Sequence, residues 1–82
     1  MSIELADCEN TIIAEIENPE CKRKDIAQTY ALILKSSERD KVDWPKINRK
    51  IMLRWSLSGL RWIKQQAWSG KAFVTPPPVN PE

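Results

Sequence analysis

Trp44, Ile47, Ile51 and Trp55 recur at spacings of three and four, and Leu57, Leu60, Ile63 and Ala67 do so again after an interruption at Ser56. That spacing lines up side chains on one face of an α-helix. A chain that writes such a stripe twice in succession must bury both, so residues 43–68 predict two consecutive amphipathic helices at the centre of an all-α fold. All four tryptophans and six of the thirteen basic residues fall in the same stretch, which makes it the place to look for a binding surface.

The flanking sequence supplies the helix boundaries. Asp43 is a good N-cap, and Pro45 fits a first helical turn, where its missing N–H has no partner to lose. Ser56 or Ser58 can cap the following helix, and Ser69 with Gly70 supplies its stop. Upstream, Ile26, Ala27, Tyr30, Ala31 and Leu34 share a helical face behind Asp25, with Gln28 three residues on to complete a capping box. That helix should end near Ser36 or Ser37, leaving Glu38, Arg39, Asp40 and Lys41 as a solvated connector. Leu5, Cys8, Ile12, Ile13 and Ile16 suit a helix over 2–17, although Ile12, Ala14 and Ile16 would also suit a short strand. Asn18 and Pro19 end it.

The organisation that follows is a small three- to four-helix bundle with a disordered Pro-rich C-terminal tail: an acidic helix or arm over 1–20, a helical domain over 22–73, and a tail over 74–82. The tail carries Pro76, Pro77, Pro78 and Pro81, a composition that forms neither a helix nor a central strand.

At 82 residues the chain has room for a single core. Apolar residues make up 41% and charged residues 29%, enough of the first to drive folding. The longest apolar run, Ala31 to Leu34, is far short of a membrane span, and the N-terminus has no basic flank and apolar region of the kind that directs export. A cytoplasmic setting is expected, with Cys8 and Cys21 as reduced, half-buried thiols.

The chain has no histidine and only two glycines, Gly59 and Gly70. A zinc finger, a His-based acid–base catalyst and a Ser–His or Cys–His nucleophile are therefore excluded, and so is a Gly-rich phosphate loop. No enzyme, cofactor, metal site or small-molecule substrate is expected.

Charge is divided along the chain. Residues 1–20 hold Glu4, Asp7, Glu9, Glu15, Glu17 and Glu20 with no Lys or Arg, for −6, whereas residues 21–82 carry +8. If Leu57, Leu60, Ile63 and Ala67 face the core, then Ser58, Arg61, Trp62 and Gln65 face out. Ser, Arg and Gln read base edges, and Lys46, Arg49, Lys50, Arg54 and Lys64 could neutralise the adjoining phosphates. The same face supports a second expectation, a protein-interaction surface anchored by an exposed Trp62 with Arg61 and Gln65, as in an adaptor, an inhibitor or a homodimer. The acidic N-terminal segment either folds over the basic face or completes the bundle with its acids in solvent.

From Trp55 to about Lys64 the chain resembles the second half of a helix-turn-helix, in which an apolar residue and a Ser open the recognition helix and apolar residues return at the places of Leu60 and Ile63. The resemblance covers roughly ten residues and departs from the pattern at Arg49, Lys50 and Arg54. It implies binding to duplex DNA through the exposed face of the second helix.

Overall fold

A computed structural model describes residues 8–69; the N-terminal residues 1–7, the predicted helix stop at Gly70 and the Pro-rich tail lie outside the described residues. The fold is all-α, with α1 at Cys8–Glu17, α2 at Arg23–Leu34, a short 3-10 turn at Arg39–Lys41, and α3 at Trp44–Ser69. Among the described residues there is no strand, and no helix is long and apolar enough to cross a membrane.

Helix α3 is folded in two. Ser56 has φ 66° and ψ 176°, a combination that glycine adopts freely and other residues only under constraint. Were α3 straight, Trp68 would lie about 36 Å from Trp44 at ~1.5 Å per residue. Instead Trp44, Asn48, Lys64 and Trp68 line one small cavity. The arms 44–55 and 57–69 therefore run back alongside each other, joined at one residue. Gly59 makes the corner possible: it is buried, and a Cβ placed there would collide with the Cβ of Trp55.

The core collects Ile12 and Ile16 from α1, Ile26, Ala27, Tyr30 and Ile33 from α2, Ile47, Ile51 and Trp55 from the first arm, and Leu60, Trp62 and Ile63 from the second. Trp62 is 7% exposed, so the expectation of an outward Trp62 is overturned. Leu57, expected inside, is 48% exposed. Both corrections have one cause. In the second arm the buried positions are 59, 60, 62, 63, 66 and 67, and two of them, Gly59 and Gln66, are not apolar by type. A stripe drawn through the apolar residues alone is rotated toward Leu57 and away from Trp62.

The start of α2 also differs from expectation. Its N-cap is Lys22 rather than Asp25. Asp25 sits in the first turn, where its carboxylate accepts a hydrogen bond from the Lys22 backbone N–H at 3.0 Å, the reach-back half of a capping box. At α3 the expected cap is present, with Asp43 Oδ1 accepting from the Lys46 N–H at 3.3 Å. Residues 2–17 were expected to form one helix, and the described part of it, α1, is helical.

Candidate functional site

From Trp44 to Ser69, α3 carries Lys46, Arg49, Lys50, Arg54, Arg61 and Lys64 and no carboxylate at all. The structure sorts these six cations into two groups.

The first group faces α1. Lys46, Lys50 and Arg54 are spaced by four and so lie along one side of the first arm. Glu9 at the start of α1 takes Lys46 in an ion pair and also accepts the Asp43 backbone N–H at 2.9 Å. Glu17 at the end of α1 takes Lys50 at 3.1 Å. The Lys46 ammonium and the Asp43 N–H hold the Glu9 carboxyl below its ordinary value, and Glu9 in turn raises the Lys46 ammonium.

Arg54 closes the row. Nη1 donates to the carbonyl oxygens of Ile16 (2.7 Å) and Asn18 (2.6 Å), and Nη2 to those of Pro19 (3.1 Å) and Cys21 (2.6 Å). Carbonyls at a helix C-terminus have no intrahelical partners and carry the negative end of the helix dipole. One guanidinium thus caps α1 and pins the turn after it, while its Cζ lies 4.2 Å from the centroid of the Trp55 ring. Arg54 is a structural residue, and the expectation that it neutralises a phosphate is corrected: its fork is already filled by four carbonyls.

The second group faces solvent. Leu57, Arg61, Lys64, Gln65 and Trp68 fall within about 100° of arc on the second arm, at ~3.6 residues per turn. Arg61, Gln65, Leu57 and Trp68 are exposed and Lys64 is half-exposed. Ser58 is half-buried beside the corner, its hydroxyl 3.2 Å from that of Ser56. Arg49 is exposed on the first arm. Of the eight residues predicted to touch nucleic acid, Arg61, Lys64 and Gln65 are thus brought together on one helix face with Ser58 at its edge. Arg49 stands apart on the other arm, and Lys46, Lys50 and Arg54 are engaged by α1.

Sequence reasoning missed the concavity at the open end of the hairpin. Tyr30 and Leu34 of α2, Arg39 and Asp40 of the 3-10 turn, Trp44 and Asn48 of the first arm, and Lys64 and Trp68 of the second enclose about 270 Å³. The rings of Tyr30 and Trp44 pack at 4.7 Å, and the Arg39 guanidinium lies 5.9 Å from the Trp68 ring centroid. Trp44 Nε1 donates to the Arg39 carbonyl at 2.7 Å, and the Tyr30 hydroxyl donates to Asn48 Oδ1 at 2.9 Å. Burial pushes the Tyr30 phenol up to about 12, so it remains a donor at any physiological pH. Little in the sequence pointed here: Trp68 is in helical phase with Leu57, which the apolar stripe assigned to the core, and Arg39 belongs to a connector that proves to be a structured turn with a ring partner.

Cys8 and Cys21 are half-buried thiols. Burial and the carboxylates of Glu15 and Asp25 push the Cys21 thiol up, which keeps it in the unreactive protonated form. No family model matches the chain, and neither a curated protein nor a solved structure is significantly similar to it.

Proposed function

We propose that the protein is a small nucleic-acid-binding module that applies the outer face of the second arm of α3 to a phosphate backbone, most simply that of duplex DNA. The observation that carries this reading is the placement of Arg61, Lys64 and Gln65 on one accessible face of a helix without a single carboxylate. Arginine and glutamine bond to base edges in pairs of hydrogen bonds, and lysine supplies a point charge for phosphate. Arg49 on the first arm adds a further backbone contact. The resemblance to the second half of a helix-turn-helix agrees with this assignment of the reading helix. No catalytic step is involved, and the setting is the cytoplasm, where the two thiols stay reduced.

The test is a titration against random-sequence duplex at two ionic strengths. Affinity should fall steeply with salt, and Arg49→Ala should weaken binding to all sequences alike while flattening the salt slope by about one unit. Arg61→Ala should change sequence preference. Absence of binding by the intact chain at low salt overturns the proposal.

One observation favours a second reading. Leu53 is 87% exposed, and with Leu57 it offers apolar surface that a protein partner, as for an adaptor or a homodimer, would cover. Binding of that kind would be insensitive to salt and lost in Leu53→Asp.

A further inference from the structure

We infer that the cavity between Tyr30, Trp44 and Trp68 is a seat for one unpaired nucleobase, so that the protein prefers duplex adjoining a single strand over uninterrupted duplex. The inference rests on the nucleic-acid reading above and extends it to a second contact.

The size of the cavity limits the ligand. About 270 Å³ is less than the ~300–1,000 Å³ usual for drug-sized or cofactor ligands, but it accommodates a single planar ring system. Its lining brings together aromatic residues from three separate segments, Trp44 and Trp68 with accessible ring surface and Tyr30 buried against Trp44, along with two cations, Arg39 and Lys64, and one carboxylate, Asp40, which lies 3.8 Å from Arg39. Aromatic faces take any base by stacking, and flanking cations take the phosphate that travels with it. Trp68 is 61% exposed, leaving ring surface for a ligand in addition to its contact with Arg39.

The polar groups suit a base edge as well. Trp44 Nε1 and the Tyr30 hydroxyl proton are both committed to partners within the protein. Because Asn48 accepts the Tyr30 proton through Oδ1, its amide nitrogen is the donor left to the cavity, and an asparagine amide is a good match for base-edge acceptors. Continuity is the last argument. Lys64 and Trp68 belong both to the cavity wall and to the outward face that carries Arg61 and Gln65, so a strand tracked along that face arrives at the cavity.

The experiment compares a blunt duplex with the same duplex carrying a short single-stranded extension, at one low salt concentration. The extension should tighten binding about tenfold, the effect expected of one stacked base. Trp68→Ala should bring the two affinities to parity without changing the thermal melt, and Trp68→Tyr should restore most of the difference. Equal affinities in the parent protein, or a preference that survives Trp68→Ala, would overturn the inference while leaving duplex binding intact. Failure to bind either DNA would overturn the underlying reading and the base seat with it.

Discussion

Two residues at the corner of α3 answer to opposite constraints. Ser56 holds a backbone conformation that costs a non-glycine residue about 1–3 kcal/mol. A glycine there removes that cost but loses ~0.5–1 kcal/mol to the greater freedom of its unfolded chain, so Ser56→Gly should raise stability by roughly 1 kcal/mol. Gly59 has the reverse requirement, because any side chain there meets Trp55 Cβ. Gly59→Ala should cost about 1–3 kcal/mol as an overpacked contact, although alanine is by itself the better helix former. Denaturant titrations of the two variants measure both effects. If Gly59→Ala is neutral, the arms are not in the close contact described.

At the scale of elements, the attachment of α1 combines strong and weak parts. Solvent-exposed ion pairs such as Glu17–Lys50 contribute only ~0–1 kcal/mol, whereas Ile12 and Ile16 are buried and Arg54 makes four charge-assisted bonds. Packing and the Arg54 cap therefore hold α1, and the carboxylates fix its register. Glu9 nevertheless gives the attachment a pH response. Its folded-state value is lowered from 4.5, so its contribution is full above 4.5 and is lost as pH falls through the lowered value. Lys46, raised by the same contact, works in the opposite direction at the alkaline end. Between pH 6 and 3 the stability of the parent should therefore fall more than that of Glu9→Gln, as read by denaturation midpoints across that range; parallel curves would show that Glu9 is not paired in solution.

The helix content was legible in the sequence because each helix carries apolar residues at helical spacing and a recognisable end, although in α1 the alternation of Ile12, Ala14 and Ile16 also suited a strand. The break at Ser56 was legible too, but its sharpness was not: a serine at positive φ has no sequence signature, and the clue was the small residue at 59. The orientation of Trp62 was misjudged for a related reason, since a wheel counts apolar types and the buried arc here includes a glycine and a glutamine. Of the basic residues, Arg61 and Lys64 could be assigned to solvent from phase alone. The engagement of Lys46, Lys50 and Arg54 depends on partners 33 to 38 residues away, which no local pattern reports.

For the whole molecule, α1 neutralises part of a helix that otherwise carries only positive charge. If the outward face binds phosphate, Lys46 and Lys50 are withheld cations. Replacing both Glu9 and Glu17 with glutamine should tighten binding to duplex and steepen its salt dependence by up to about two units, one for each lysine released. An unchanged slope would mean that the α1 side of the hairpin stays clear of the nucleic acid.

The fold-back at Ser56 also separates two kinds of attachment. The arms meet through a hairpin local in sequence, whereas α1 reaches the first arm from 33 to 38 residues away. Closing a loop becomes more costly with its length, so the hairpin needs far less chain ordered than the seating of α1. An opening that releases α1 alone uncovers a row of three cations, Lys46, Lys50 and Arg54, and leaves in place the hairpin that carries the proposed binding face.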